Sequence, residues 1–570
     1  MNPIELFLRP PGEAEQTLPS GLNADALAET GAKPAQGDDK KGAKSYLDPT
    51  GHMNSIRDQG WGVIAPRGEA GDRLLSLVAP LLAKRLEDLD DEDLDEIDVY
   101  RVPPDMTHAQ AVQWVDRKLV GNRSLREIPG YVCILGGPEL VSFELQQVLS
   151  TGFAAGRIAF DRDEQYRAYV DKLLRWERQE ANASARALFF TARDGTPATE
   201  LGYQQLMRPT VDDVRAQAAS GQLSLGEVQS FDRDDALAMA DELLAAAAQS
   251  HPSVLMSCSH GMGAPRRGWG DEARQRALQG ALCLGQDEVI DAKELASGPF
   301  LPGGMWFLFA CFGLGTPRHS AYHHWLSRLK ELGEFGQHLD AVLHSLPQAG
   351  QPGFLSALPR AALANPDGPL AVVGHLDLAW SYGFQDIEKM SNNERHRRFE
   401  LVLNPLLRGQ RAGLALSGLQ RAREQVKSDL LIATDDHARA DTTGAPAADD
   451  AIRLGHRWML HHDLDGYILL GDPAAKLAVT PSQRRRRRRP AAPVTPPTPP
   501  QPAVTLAAPA PAEAGETASV ADMEAAVHAL IEGEGAKALA AQYGVDKRTI
   551  QRWHDVYTSA GQAALEALRD

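Results

Sequence analysis

The chain has 570 residues, of which 43% are hydrophobic and 24% are charged. This composition excludes a disordered or fibrous protein, and at roughly 100 to 200 residues per domain it predicts several domains. Acidic residues outnumber basic ones by 76 to 59, giving a formal net charge of -17. A protein that coats nucleic acid is therefore not expected, because its bulk charge would repel phosphate.

The four cysteines, Cys133, Cys258, Cys283 and Cys311, are scattered and form no C-x-x-C pair. This pattern argues against a disulfide framework and against the common zinc motifs, so we expect free thiols in a reducing compartment and no cofactor. The opening residues lack the basic and apolar regions of a signal peptide. The longest apolar stretch, 303–315, is too short to span a bilayer. We expect a cytoplasmic protein without a membrane contact.

The first elements in chain order are weakly patterned. Residues 1–55 show no apolar periodicity, and we expect a flexible N-terminal segment. From 56 to 180, the short run WGVIAP followed by the amphipathic pattern LLSLVAPLLAKRL predicts a strand and a helix of an N-terminal α/β subdomain. The acidic run at 87–98 is interpreted as a solvated connection.

Short runs that are apolar on both faces recur further along the chain, which is typical of buried, mostly parallel strands. They lie at 131–137, 185–194, 253–261, 305–313, 370–377 and 466–473. Helical patterns at 234–249 and 323–339 alternate with these runs. The alternation predicts a doubly wound α/β fold, with a second domain over 181–480 and functional residues at the ends of its strands.

A sharp change in composition follows residue 480. Six consecutive arginines, Arg484 to Arg489, lead into a tract rich in proline and alanine. We expect 481–519 to be a disordered linker. Residues 520–570 are helical in pattern with a turn at Gly544, which predicts a small all-α domain.

His260 and Cys311 each follow an apolar run and are each followed by two glycines within five residues, in SHGMG and CFGLG. If the two strands are neighbours, a thiol and an imidazole converge at one edge of the sheet, where the base assists thiolate attack on a carbonyl carbon. The backbone N–H groups of Gly261 and Cys311 would then stabilise the oxyanion. Taken singly, each side chain is more often structural, and the other three cysteines are interpreted as core residues.

The blocks SHG and ACFG, with His before Cys, resemble those of the caspase-like cysteine peptidases, the group of caspases, metacaspases, gingipains, separases and bacterial CHAT domains. ILGGPELVSFELQ, AVVGHLDLAWSYGF and YILLGDPAAKL resemble the gingipain and CHAT branch. The resemblance covers about residues 60 to 480. It implies a caspase-like peptidase domain at 181–480 and a catalytic dyad of His260 and Cys311.

The same resemblance implies further roles. An acidic residue after the first strand of the caspase-like domain goes with preference for Arg or Lys, which assigns Asp194 to the substrate pocket. His375, Asp377 and Trp380 match the segment that lines that pocket. ACFGLGTP resembles the CHAT ending and no maturation site stands out, so autoprocessing is not implied. The acidic run at 87–98 lacks the spacing of an EF-hand, and no metal is expected.

Residues 536–557 resemble a transposase-type helix-turn-helix, whose second helix enters the major groove of DNA. The resemblance implies nucleic-acid contacts by the polar residues of that helix, Lys547, Arg548, Gln551 and Arg552. A plain three-helix adaptor that binds a protein partner is the alternative, since the domain itself is net acidic.

These observations together predict a cytoplasmic cysteine endopeptidase that cleaves a protein or peptide substrate after a basic residue. An activating partner and a role in regulation or defence are implied only by the habits of bacterial relatives. Two alternatives stay open: a DNA-binding regulator with an inactive caspase-like body, and an interaction scaffold recruited through its C-terminal helices.

Overall fold

The structure, a computed structural model, describes most of the chain up to residue 480 and short pieces beyond it. The described residues are 4–11, 16–18, 21–22, 45–91, 94–182, 184–285, 288–333, 338–348, 350–385, 395–444, 451–480, 526–527, 539–540, 545, 549–550 and 553–554. The chain divides into two compact units, Met1–Arg485 and Arg486–Asp570. The expected linker at 481–519 lies outside the described residues.

The first unit alternates strands and helices. Its strands are β1 Leu8–Arg9, β2 Trp61–Pro66, β3 Val99–Val102, β4 Tyr131–Leu135, β5 Ala154–Ile158, β6 Ala185–Thr191, β7 Leu225–Phe231, β8 Ser253–Cys258, β9 His260–Met262, β10 Leu282–Gly285, β11 Glu288–Ile290, β12 Met305–Phe309, β13 Gly315–Thr316, β14 Phe354–Leu355, β15 Ala371–His375 and β16 Tyr467–Gly471.

The α-helices connect these strands and cover them. They are α1 Ile56–Gln59, α2 Glu69–Leu77, α3 Ala79–Leu89, α4 His108–Trp114, α5 Phe143–Gly152, α6 Asp163–Glu177, α7 Pro197–Gly202, α8 Arg208–Ala219, α9 Ala236–Ala247, α10 Glu272–Leu278, α11 Ala292–Ala296, α12 His323–Glu331, α13 His338–Ser345, α14 Ala357–Ala364, α15 Arg397–Leu407, α16 Ala412–Thr443 and α17 Ala451–Asp465. Two π-helical stretches, Val115–Val120 and Tyr203–Met207, and a 3-10 turn at Ser381–Gly383 complete the described helices.

One large mixed sheet organises the unit. Ten of the described strands pair in the order β3-β2-β4-β5-β16-β15-β12-β8-β6-β7. Neighbours are parallel except for β15 and β16, which are antiparallel. Two parallel halves therefore meet at this pair, running in opposite directions. The predicted α/β class with a mostly parallel sheet is confirmed.

Both faces of the sheet are buried, as β4 illustrates. Cys133 and Leu135 pack into the larger core, which also holds Leu81 of α3, whereas Val132 and Ile134 pack into a second core. Because successive side chains point to opposite faces, a strand covered on both sides must be apolar throughout. This is why the strands could be recognised as continuous apolar runs.

The sheet crosses the expected boundary between a subdomain at 56–180 and a domain at 181–480. Strand β5 pairs with β16, and both expected domains lie inside the first compact unit. That the two ranges form separate domains stays a prediction.

The pattern LLSLVAPLLAKRL, which predicts one helix, lies across two helices, α2 and α3. They are separated at Val78, before Pro80.

The expectation that the whole of 1–55 is flexible is wrong for residues 4–9. Ile4, Leu6, Phe7 and Leu8 are each 1% exposed or less, and β1 pairs in parallel with β9. The segment is too short to show periodicity in sequence. It is ordered because its apolar side chains and backbone groups find partners in the first unit.

The second unit is described only in pieces. Ala526, Leu539, Ala540 and Ile550 are buried together, with Trp553 packed against them. The proposed nucleic-acid contacts, Lys547, Arg548, Gln551 and Arg552, lie outside the described residues.

No helix in the described part of the chain has the length and apolar character needed to cross a bilayer.

Candidate active site

The strands that lead to His260 and Cys311 are neighbours. Strands β8 and β12 pair in parallel, with Cys258 opposite Phe309. The Ser259 N–H then donates to the Phe309 carbonyl oxygen at 3.2 Å. Both candidate residues therefore leave the sheet at the same edge, as the strand pattern predicts.

The backbone N–H groups of Gly261 and Cys311 point at one oxygen atom. Gly261 donates to the carbonyl oxygen of Phe7 at 2.9 Å, and Cys311 donates to the same oxygen at 3.4 Å. Two main-chain donors that converge on one carbonyl are the geometry that an oxyanion pocket requires. The two N–H donors expected from sequence, those of Gly261 and Cys311, are thus brought together around the Phe7 carbonyl oxygen.

The Cys311 thiol lies beside the backbone of Ala379. Its Sγ accepts from the Ala379 N–H at 3.2 Å and is 3.5 Å from the Ala379 carbonyl oxygen. Cys311 is 0% exposed. Burial raises the pKa of the thiol well above its ordinary value, and the hydrogen bond from Ala379 offsets only part of this. In this arrangement the sulfur is a neutral thiol at neutral pH.

A chain of hydrogen bonds fixes the tautomer of His260. The hydroxyls of Thr196 and Thr199 each donate to Asp194 Oδ1 at 2.7 Å, and Thr196 Oγ1 lies 2.8 Å from His260 Nε2. A carboxylate only accepts, so the single hydroxyl proton of Thr196 goes to Asp194. His260 Nε2 must then carry the ring proton and donate to Thr196. Nδ1 keeps its lone pair.

His260 Nδ1 is buried and has no hydrogen-bond partner in the described part of the chain. The imidazole is therefore not hydrogen-bonded to the Cys311 thiol in this state. Burial lowers the pKa of His260 to about 4, although the charge of Asp194 raises it in part. A neutral base and a neutral thiol lie at the same edge of the sheet, and exclusion of water further favours the neutral form of each.

Asp194 lies at the site and holds a basic side chain. Its Oδ2 is 2.5 Å from Arg9 Nη1 in an ion pair whose side chains are 0% and 2% exposed. The same oxygen is 3.9 Å from His260 Nε2. Burial raises the pKa of Asp194, but His260, the two threonine hydroxyls and Arg9 outweigh that effect and hold it below its usual range. The residue proposed to recognise Arg or Lys thus faces an arginine.

His375 is held by the fold. Its Nε2 is 2.8 Å from the Asp463 carbonyl oxygen, and its ring packs edge-on against Tyr467 with centroids 5.0 Å apart. Burial lowers its pKa to about 4. With the ring fixed in this way, the structural interpretation explains His375 fully. Its assignment to a substrate pocket stays a prediction without a supporting contact.

Asp377 and Trp380 flank the thiol through their backbones. The Asp377 carbonyl oxygen accepts from the Phe312 N–H at 2.7 Å, and Asp377 has a left-handed φ of 73°. Trp380 forms an antiparallel bridge with Leu6. The segment that was assigned to the pocket therefore borders the site and binds the N-terminal segment through main-chain groups.

Asp463 is a site residue that sequence reasoning missed. Its Oδ1 accepts from the Trp380 N–H at 2.8 Å and its Oδ2 from the Gly383 N–H at 3.2 Å. Burial raises its pKa to about 8 despite these bonds. Asp463 lies in the last turn of α17, shortly before β16, and its bonds to Trp380 and Gly383 fix the segment beside Cys311. Thr196 was also missed, and only its position two residues after the end of the predicted strand, close to Asp194, could have suggested it.

A cavity of about 780 Å³ lies beside this region. His375, Leu376 and Asp377 contribute to its lining, but His260 and Cys311 do not. The dyad residues are instead covered, at 0% exposure each. What covers them includes the backbone of residues 4–9.

Among the described residues, one group of side chains has ligand atoms close enough together for a metal ion. Asp213, His396 and Glu400 each offer an atom within 4.8 Å of the others. Asp213 Oδ2 is also 3.3 Å from Arg397 Nε. Asp213 is paired with Arg397 and lies within hydrogen-bond distance of His396 Nε2, and in the described part of the chain the group makes no contact with the site at Cys311.

No protein-family profile and no curated protein matches the sequence. Solved structures similar to it include one described as "Structure of Protease" and the complex of the pro- and mature domains of RgpB from Porphyromonas gingivalis. Each is 11% identical with a TM-score of 0.37 and covers 73% of this chain, and the matches span 78% and 80% of those chains. Similarity of this size establishes no shared chemistry, so the candidate site rests on its own contacts.

Proposed function

We propose that the chain is a cysteine-type endopeptidase in which Cys311 is the nucleophile and His260 the general acid and base. The observation that carries the proposal is the convergence of the Gly261 and Cys311 N–H groups on a main-chain carbonyl oxygen beside the thiol. A peptidase needs a nucleophile, a proton carrier and a pair of donors around one carbonyl. All three are supplied here by residues that leave adjacent strands.

The reaction follows from these roles. His260 Nδ1 first takes the proton of the Cys311 thiol. The resulting thiolate attacks the carbonyl carbon, and the C=O electron pair moves to the oxygen, where the two N–H groups stabilise its charge. Collapse of this intermediate breaks the C–N bond, and the protonated imidazole of His260 gives its proton to the leaving amine. Water, deprotonated by His260, then hydrolyses the thioester and releases Cys311. Nδ1 is the nitrogen that exchanges protons, since Nε2 is engaged by Thr196.

Asp194 supports recognition of a basic residue in the substrate. Its carboxylate is buried and negatively charged, and a buried charge is stable only when paired. A substrate with Arg or Lys within reach of Asp194 satisfies this requirement.

The four free cysteines, all of them buried, favour a reducing, cytoplasmic place of action. The partner of the C-terminal helices stays a prediction.

Peptide hydrolysis by defined variants tests the proposal. The full chain, Cys311→Ala and the matched core variant Cys133→Ala are compared on an internally quenched peptide library containing basic residues, each also in a Phe7→Ala background that opens the site. We expect turnover in Cys133→Ala and a loss of at least about 1,000-fold in Cys311→Ala. Turnover that survives Cys311→Ala, or no turnover in any folded protein with an alkylatable Cys311, would overturn the proposal.

A further inference from the structure

We infer that residues 4–9, Ile-Glu-Leu-Phe-Leu-Arg, occupy the candidate cleft as an intramolecular pseudosubstrate and so display the peptide that the cleft binds. That peptide has an aromatic residue whose carbonyl faces the nucleophile and an arginine two positions later. The assignment of a reacting bond depends on the proposed peptidase function. The covering of Cys311 does not.

The backbone of the segment is bound as an added strand. The Phe7 N–H donates to the Ala379 carbonyl oxygen at 3.2 Å, and the Ser381 N–H donates to the Glu5 carbonyl oxygen at 3.1 Å. Residue 6 pairs antiparallel with Trp380 between these two bonds. Main-chain pairing of an extended peptide with an exposed edge is a common mode of peptide recognition.

The register of this strand selects Phe7 as the residue at the reacting position. Its carbonyl oxygen is the atom on which the Gly261 and Cys311 N–H groups converge. The Phe7 N–H donates to the carbonyl oxygen of Ala379, and the Cys311 thiol contacts the same oxygen. Continuing the chain, Leu8 pairs with Gly261 in β9. The Phe7–Leu8 peptide bond therefore lies where a scissile bond would lie.

The Phe7 side chain fills an apolar pocket. Its ring lies edge-on to Phe309 with centroids 4.8 Å apart and is 6.1 Å from Phe384 and 6.0 Å from His260. Gly202 closes the pocket so tightly that a β-carbon there would be 3.1 Å from the Phe7 ring. Such a pocket accepts an aromatic or large apolar residue, and a basic side chain there would lack a partner.

Arg9, the basic residue that Asp194 binds, lies after the Phe7–Leu8 bond and not before it. Its ion pair with Asp194 is buried, 2.5 Å long, and two residues beyond the Phe7 carbonyl. The expected preference for cleavage directly after Arg or Lys is therefore revised to an arginine at the second position after the bond. The charge complementarity is the same, but the subsite differs.

The same contacts keep the site closed. The segment continues into further anchors, since the Thr17 N–H donates to the Leu8 carbonyl oxygen at 3.3 Å and Gln16 Nε2 donates to Glu5 Oε2 at 2.8 Å. While it is seated, Cys311 and His260 are both 0% exposed. A substrate must displace residues 4–9, so this chain's activity would depend on their release.

Alkylation of Cys311 in the full chain tests the covering without any need for turnover. Iodoacetamide labelling of Cys311 is followed by peptide mass spectrometry in the wild type, Phe7→Ala, Arg9→Gln and the surface control Arg233→Gln, whose ion pair is exposed. We expect labelling to be at least about tenfold faster in the first two variants and unchanged in the control, with Cys133 unlabelled throughout as evidence that the core stays folded. Equal rates in all four proteins would overturn the inference.

A peptide added in trans provides a second, independent readout. A synthetic copy of residues 4–10 should protect Cys311 of Phe7→Ala from iodoacetamide, and a copy with alanine in place of the phenylalanine should not. Equal protection by both, or by neither, would contradict the assignment of the pocket. This experiment remains decisive if Arg9→Gln fails to fold.

Cleavage of the same peptide, flanked by a fluorophore and a quencher, separates the two proposals. We expect hydrolysis between the phenylalanine and the leucine by Phe7→Ala, reduced at least about tenfold when glutamate replaces the peptide's arginine. Cleavage only after the arginine would overturn the subsite assignment and leave the peptidase intact. Protection of Cys311 without any hydrolysis would uphold the covering and contradict the peptidase.

Discussion

Gly261 lies directly on the backbone of Cys311: a β-carbon at position 261 would stand 1.9 Å from the Cys311 carbonyl oxygen. No side chain larger than hydrogen fits at that separation. This close approach lets the two N–H groups reach one oxygen atom, which adjacent strands alone would not ensure. The glycine after the histidine is therefore required by geometry, whatever the chain's substrate.

Replacing this glycine tests the contact. Gly261→Ala forces the two strand ends apart, and overpacking of this kind costs about 1 to 3 kcal/mol in the free energy of unfolding. We expect urea unfolding to show that loss, together with faster alkylation of Cys311. Gly298→Ala is the matched control, since a β-carbon at Gly298 meets nothing within 4 Å. If the two variants unfold alike, the proposed contact between Gly261 and Cys311 is incorrect.

Thr196 is a positioning residue for His260, and its role can be separated from a purely structural one. Thr196→Val removes the acceptor for the Nε2 proton but keeps the shape, whereas Thr196→Ser keeps the acceptor. In the Phe7→Ala background we expect kcat/KM for peptide hydrolysis to fall roughly 10- to 100-fold in Thr196→Val and to recover in Thr196→Ser.

The pH profile supplies the readout that a structural defect would not move. A ring released from Thr196 exchanges tautomers, so the acid limb of kcat/KM should shift in Thr196→Val and return in Thr196→Ser. An unchanged limb in Thr196→Val, with only a lower rate throughout, would show that the threonine does not set the tautomer of His260.

The strands that carry the candidate dyad could be predicted because their sequence signals are local. A strand buried on both faces is apolar in every position, and the glycines after His260 and Cys311 mark the turns that follow. Strands β3, β5 and β7 were missed for the converse reason. Strand β7 lies at the edge of the sheet and carries Glu227 and Gln229, and β5 contains Arg157, buried but hydrogen-bonded to Gln146.

The contacts that complete the site could not be predicted in this way, because they join distant parts of the chain. Asp463 bonds Trp380 across 83 residues and Arg9 meets Asp194 across 185. Neither pair leaves a periodic or spacing signal. The N-terminal segment was missed for the same reason, since six residues of mixed character look like any tail until their binding cleft is known.

The pairing of Arg9 with Asp194 should be cooperative. Arg9→Gln and Asp194→Asn each remove one charge of this buried ion pair, whereas the double variant removes both. We expect each single change to accelerate the alkylation of Cys311. In the double variant, the rate increase over the wild type should be smaller than the product of the two single increases. The exposed pair Arg233 and Glu242, changed to glutamine in the same design, should show simple additivity. Additivity at Arg9 and Asp194 would mean that the two side chains do not stabilise the segment together.

Asp463 makes stability depend on pH in a direction opposite to that of an ordinary carboxylate. Burial raises its pKa to about 8 from an ordinary value of 3.8, so the folded protein holds its proton more tightly than the unfolded chain does. The resulting stabilisation is complete below about pH 4 and is lost as the pH rises through about 8. Asp463→Asn cannot titrate, although it forfeits one of the two acceptors for Trp380 and Gly383 at every pH.

The difference in unfolding free energy between the wild type and Asp463→Asn should therefore shift against the wild type as the pH rises. The shift amounts to at most about 1.4 kcal/mol per pH unit and is measured by urea unfolding at pH 4.5, 6.0 and 7.5. Asp377, whose pKa is raised to about 7 by burial, titrates in both proteins and cancels. Asp234→Asn, at a carboxylate whose side chain is 81% exposed, should give a difference that is flat with pH. A flat difference for Asp463→Asn as well would show that its carboxyl is ionised in the folded protein and that the Trp380 and Gly383 N–H groups outweigh burial.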